Sequence, residues 1–185
     1  IGRILFLYKT KGQKAPFLFG WYPLQDIGIC ESEKRKGESM VDLFVDIPET
    51  TIESTLQMIK KNLDKIELYG GHTLRRHTDI QILALKTRLT KEDIRYATSF
   101  WDMEIATAVT QGIMKQFYDD EIAYWLKGKY CDTLSLISNF PKTVGYGFKK
   151  GEEGLEENLK KACLVLVKDC KADWGFRILT SYPMF

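Results

Sequence analysis

The chain has 185 residues, of which 44% are hydrophobic and 12% aromatic, so it is long enough to bury a real core and too apolar to be disordered. No apolar run approaches the length that crosses a bilayer, and a net charge of +2 is too small to diagnose nucleic-acid binding. Residues 1–70 carry ten basic and ten acidic side chains, which leaves the whole excess to residues 71–185.

The start, Ile1-Gly2-Arg3-Ile4-Leu5-Phe6-Leu7, has neither a Met nor an apolar core followed by a cleavage site. It reads as cut from a longer chain and not as a signal peptide. Residues 3–9 and 15–22 are strand-like, and 40–46 alternates loosely before Pro48. Between them, the mixed charges of 31–39 read as exposed loop. The clearest helix follows, because Ile52, Leu56, Ile59, Leu63 and Ile66 recur at steps of four and three. Thr50 and Glu53 have capping-box spacing, and Gly70-Gly71 supplies the stop.

Next comes Gly70-Gly71-His72-Thr73-Leu74-Arg75-Arg76-His77-Thr78, which holds both histidines of the sequence. These are the ordinary side chains that titrate near neutral pH, so acid–base chemistry is sought here first. Thr78 or Asp79 is expected to cap a helix over 80–89, residues 90–93 to make a short turn, and Ala97-Thr98-Ser99-Phe100 to break it. A helix over 102–118 points Met103, Ala106, Ala108, Val109 and Ile113 inward, and Asp119 or Asp120 starts another that runs to Gly128. The last third changes period: 133–137, 143–148, 162–167 and 176–182 are short β-type runs, and 149–158 is solvated loop with at most a helical turn. This order predicts an α+β fold, with N-terminal helices packed on a mainly antiparallel C-terminal sheet.

Four cysteines, Cys30, Cys131, Cys163 and Cys170, lack metal-ligand spacing and read as small apolar fillers. The two histidines make a poor metal site, since they stand five apart with no carboxylate between them. If one helix ran through both histidines, His77 and Arg88 would lie within roughly 20° of each other and His72 on nearly the opposite face. If Asp79 caps the helix instead, that angle means less. In the last strand a period of two puts Phe176, Ile178, Thr180 and Tyr182 on one face, with Pro183 ending the strand.

A histidine, an arginine and two hydroxyls suit internal transphosphorylation of RNA, in which a base takes the 2′-OH proton and fixed donors hold the phosphorane charge. On these residues alone, a capping or packing histidine pair, surface arginines and strand-forming Thr and Tyr remain the more ordinary reading. The alternative function is a non-catalytic module that binds RNA or a protein through the His/Arg cluster.

In their order, Gly71-His72-Thr73-Leu74-x-Arg76-His77, Leu85-x-x-Arg88-Leu89, Thr98-Ser99-Phe100 and Ile122-x-x-Trp125-Leu126 resemble a known family. Gly145, Gly147, Leu164-Val165-Leu166-Val167 and Ile178-Leu179-Thr180-Ser181-Tyr182-Pro183 complete the set. The family is the RNase A-like C-terminal toxin domain of bacterial contact-dependent growth inhibition and related polymorphic toxin systems. The resemblance covers 69–185 and implies a pancreatic-ribonuclease-type fold without that family's disulfides.

It also implies a metal-independent endoribonuclease with no cofactor, an RNA substrate and a cognate immunity protein. The toxin would be secreted or delivered from a cell surface, would act in the cytoplasm of a target cell, and would be monomeric apart from the immunity complex. Carried over by position, His77 resembles the catalytic histidine, Arg88 the transition-state cation, and Thr180 and Tyr182 the C-terminal site residues. His72 is a second acid–base or a structural support. The last strand lacks the histidine of the pancreatic enzymes, so the general acid stays open. Residues 1–68 lie outside the resemblance and are expected to serve entry or delivery.

Overall fold

The computed structural model describes residues 4–8, 51–68, 70–128, 132–172 and 174–185. The expected strands at 15–22 and 40–46, the loop at 31–39, the Thr50 cap, Cys30 and Cys131 lie outside them.

Among the described residues, two sheets and five α-helices make an α+β fold. Strand β1 (Ile4–Tyr8) runs parallel to β3 (Thr133–Asn139), and β6 (Lys161–Lys168) and β7 (Phe176–Met184) continue that sheet antiparallel, in the order β1-β3-β6-β7. The second sheet is antiparallel, in the order β2 (Tyr96–Phe100), β4 (Gly145–Lys149) and β5 (Glu156–Leu159). Helix α1 (Thr51–Leu68) and helix α4 (Met103–Phe117) cover the inner face of the four-stranded sheet. Ile59, Leu63, Ala106, Ile113 and Phe117 meet Leu134, Leu136, Leu164, Leu166 and Phe176 there. Burying side chains of this size is worth about 1.5–3 kcal/mol each, which fixes the helix against the sheet. Asp102 caps α4 by accepting from the Ile105 amide at 2.7 Å. The short helices α2 (Thr73–His77) and α3 (Ile82–Lys91) lie elsewhere: α3 packs Leu85 on Ala97, Tyr146 and Phe148 of the three-stranded sheet.

Several sequence expectations need correction. Residues 96–100 do not break a turn. Tyr96-x-Thr98-x-Phe100 has strand formers at alternate positions and builds β2. The helix expected over 80–89 is Ile82–Lys91, with Gln81 at its N-cap. Asp79 adopts φ +52, a left-handed conformation that Asp tolerates, and caps nothing. No new helix starts at Asp119 or Asp120, because the backbone passes through a π-helical turn (Tyr118–Ile122) directly into α5 (Ala123–Lys127). Met103 is exposed, and so is Ala108, while Val109 takes the inward position. The insert after β4 includes β5. Pro183 lies inside β7, opposite Ala162; β7 is the edge of its sheet, where a missing N–H leaves no gap in the ladder.

The two sheets meet where β2 approaches the end of β7, and the Thr98 hydroxyl donates to the Pro183 carbonyl at 2.7 Å. Close backbone approach here requires glycine. A Cβ on Gly147 would stand 2.6 Å from the Ala97 carbonyl oxygen and 2.7 Å from Thr98 Cγ2. Gly147→Ala should therefore destabilise the fold by about 1–3 kcal/mol, the usual cost of overpacking. Chemical denaturation would measure it, and an unchanged midpoint would contradict this packing.

Candidate active site

Gly70, at φ +89, turns the chain out of α1, and any Cβ there would crowd the Arg177 guanidinium at 3.1 Å. The chain then enters α2, which is held on β7 by two hydrogen bonds. The His72 amide donates to the Leu179 carbonyl at 3.0 Å, and the Ser181 amide donates to Thr73 Oγ1 at 2.8 Å. Thr180 lies between them in the chain.

The other end of α2 is held by β2. Thr78 bridges to Phe100 in parallel fashion, the Asp79 amide donates to the Phe100 carbonyl at 3.1 Å, and the Ile80 amide donates to Ser99 Oγ at 2.9 Å. This docking puts His77 Nδ1 3.3 Å from the Thr98 carbonyl oxygen. A carbonyl only accepts, so Nδ1 carries the proton and Nε2 keeps its lone pair.

Around that imidazole stand the other expected site residues. The His72 ring centroid is 5.9 Å away and that of Tyr182 5.2 Å. Arg88 Nη1 donates to the Arg76 carbonyl at 2.9 Å, one residue before His77. Glu92 joins the arginines: Arg76 Nη2 donates to Glu92 Oε2 at 2.7 Å, and Arg88 Nε lies 3.5 Å from Glu92 Oε1. Helix phase does not bring Arg88 to His77, since α2 and α3 are separate helices; the tertiary fold does so.

A bulge in β7 changes the expected strand faces. The register shifts opposite Val165 and Leu166, so Phe176 and Ile178 enter the main core while Thr180 and Tyr182 line up with Val165 and Cys163 on the opposite face. The two hydroxyl residues remain neighbours at i and i+2. Thr180 Oγ1 is buried and has no hydrogen-bond partner, as is Ser181 Oγ on the core side. The Tyr182 hydroxyl bonds to Cys163 and Tyr96, and burial holds its pKa well above the usual phenol value. Burial likewise pushes the Cys163 thiol up to about 12; Cys163 and the exposed Cys170 are both free.

Both imidazoles are held neutral. His77 is lowered to about 3, chiefly by burial and then by the Arg88 charge and by His72. His72 is lowered to about 4 by burial, then by Arg76, Arg75 and Arg88. Among the described residues, no group of three or more His, Cys, Asp or Glu side chains converges as a metal site.

Sequence reasoning missed the residues that hold the imidazole. Thr98 acts through its main-chain oxygen, which no side-chain pattern reveals, and the signal that was present was the alternation of strand formers from Tyr96 to Phe100. Glu92 was passed over as a turn residue, although its spacing of four from Arg88 is that of a helical ion pair.

A neutral histidine, a mostly buried arginine and the hydroxyl residues of β7 form the candidate site, near where the two sheets meet. The model of the bacterial CdiA-CT RNAse A domain matches residues 71–183, and the chain belongs to that family. Residues 71–183 thus form a CdiA-CT RNAse A domain. A chain in the crystal structure of the CdiA-CT/CdiI complex from Y. kristensenii 33638 shares the fold at a TM-score of 0.58 and 23% identity. The match spans 62% of the present chain and 100% of that one. No curated protein matches the sequence.

Neutral, partly buried histidines make stability depend on pH. In the unfolded chain both imidazoles bind protons below about 6.5, whereas in the folded protein they resist until about 4 and about 3. Stability should therefore fall as the pH drops from 6.5 toward 3. A His72→Gln/His77→Gln double variant should lose less between pH 7 and pH 4.5 in urea melts. Equal losses would contradict the burial of neutral rings.

Proposed function

We propose that the chain is a toxin ribonuclease that cleaves RNA by metal-independent transphosphorylation in the cytoplasm of a target cell. A cognate immunity protein neutralises it, as the CdiA-CT/CdiI pairing of the solved relative suggests. Residues 1–68, whose strand β1 and helix α1 join the same sheet and core as the rest, precede the toxin domain at 69–185 and serve entry or delivery. The observation that carries the catalytic reading is the pinned His77 imidazole, with Nδ1 on the Thr98 carbonyl, Arg88, His72 and Tyr182 around it, and Thr180 two residues before Tyr182 in β7.

The chemistry follows from these roles. His77 Nε2 takes the proton of the 2′-OH as the O2′–P bond forms. The phosphorane charge falls to the Arg88 guanidinium, which cannot lose its proton, and to the Thr180 hydroxyl. A buried hydroxyl without a partner costs about 1–3 kcal/mol, so a phosphate oxygen at Thr180 satisfies a need that the fold leaves open.

As the P–O5′ bond breaks, the 5′-oxygen takes a proton from His72 in its imidazolium form. The products are a 2′,3′-cyclic phosphate and a 5′-hydroxyl, and solvent returns the proton from His77 to His72. His72 is held neutral in the free protein by burial first and then by three arginines, and the negative charge of the bound phosphodiester offsets the arginine part. Tyr182, its hydroxyl tied to Cys163 and Tyr96, is a positioning residue whose ring backs His77.

Purified protein should cut RNA to ends bearing 2′,3′-cyclic phosphate, with or without EDTA. His77→Ala should lower kcat/KM by about 10²-fold or more without unfolding the chain. If His72 is the acid, kcat/KM should rise roughly tenfold per unit as the pH falls from 8 to 5, since its pKa in the free protein is about 4. His72→Ala should abolish that slope. A folded, fully active His77→Ala protein would overturn the assignment of the base, salt-sensitive RNA binding without products would favour a binding module, and loss of activity in EDTA would point to a metal nuclease.

A further inference from the structure

The rings beside His77 do not end at Tyr182. Tyr96, the first residue of β2, has its ring centroid 6.5 Å from that of Tyr182 and 5.8 Å from that of Phe185. The planes are tilted by 39° and 58°. Tyr96, Tyr182 and Phe185 are each partly exposed, and their rings continue in a row from the His77 imidazole. Phe185 is anchored, because its carbonyl accepts from Lys161 Nζ at 2.9 Å.

The polar atoms along this row are already engaged. The Thr98 hydroxyl donates to the Pro183 carbonyl, and the Tyr182 hydroxyl bonds to Cys163 and Tyr96. What the row offers a ligand is ring surface rather than free donors. Aromatic side chains of this kind bind unpaired bases by stacking, which tolerates sequence because every base has a π face.

We infer that Tyr96 and Phe185 form a nucleobase-stacking subsite that seats a base flanking the scissile phosphate. This rests on the reading of the site as RNA-cleaving and names how it holds its substrate. The phosphate is gripped at Arg88 and Thr180, and the neighbouring base lies on the Tyr96/Phe185 wall. Stacking gives the subsite single-stranded RNA as its substrate class, with weak discrimination among bases, since a paired base cannot present its face.

The test separates this subsite from catalysis by measuring equilibrium binding of a 2′-deoxy dinucleotide, which cannot be cleaved by this route, and of inorganic phosphate. Wild-type protein should bind the dinucleotide more tightly than phosphate. Tyr96→Ala and Phe185→Ala should each weaken the dinucleotide about five- to hundredfold and leave phosphate unchanged. Tyr96→Phe keeps the ring, removes the hydroxyl and should bind as wild type does. In cleavage assays Phe185→Ala should raise KM for a ribodinucleotide with kcat retained.

Unchanged dinucleotide affinity in both alanine variants would overturn the subsite, as would a wild-type protein that binds the dinucleotide no better than phosphate. Equal loss of phosphate and dinucleotide binding would overturn it too, by showing a general collapse of the cleft. Absence of RNA cleavage by the wild type, with the binding pattern intact, would instead refute the enzymatic reading and leave the stacking wall standing.

Discussion

Everything at the site depends on how the free edge of β2 is closed. An edge strand presents unpaired carbonyls and amides, and here the Thr98 and Phe100 carbonyls are met by the segment that leaves α2. That capture orders His77, Thr78 and Asp79 and forces Asp79 into a left-handed conformation. It also sets the tautomer of His77. The same strand reaches β7 through the Thr98 hydroxyl, so one residue ties His77 to the sheet that carries Thr180 and Tyr182. The glycines of β4 serve this arrangement, because a side chain at Gly147 would push β2 away from its place.

The electrostatics follow from the same packing. Two imidazoles sit beside Arg75, Arg76 and Arg88, and burial and those charges act in one direction, holding both rings neutral. Glu92 keeps the guanidinium groups together, bonding Arg76 and approaching Arg88. Three guanidinium groups beside rings kept neutral, first by burial, make this site favourable for an anion. The near-neutral net charge of the chain is no obstacle to this, since the field that matters is local.

The fold class was legible in the sequence because its main carriers are periodic. The steps of α1 and the apolar runs of β3 and β6 follow local rules, and the structure obeys them. The candidate site residues were also visible, by resemblance more than by chemistry. What the sequence hid was tertiary. Residues 96–100, short and polar in part, make a strand because β4 pairs with them, and Thr98 contributes a main-chain atom. The bulge in β7 moves Thr180 and Tyr182 off the face of Ile178, which strict alternation cannot show. Arg88 comes to His77 through a break between helices, where helical phase has no meaning.

The most direct test of the account is the protonation of the His77 ring, read from side-chain ¹⁵N chemical shifts of histidine-labelled protein at pH 7. The account requires a neutral ring with the proton on Nδ1 and a bare Nε2, unchanged until the pH falls well below 6. An imidazolium at pH 7, or a proton on Nε2, would contradict it.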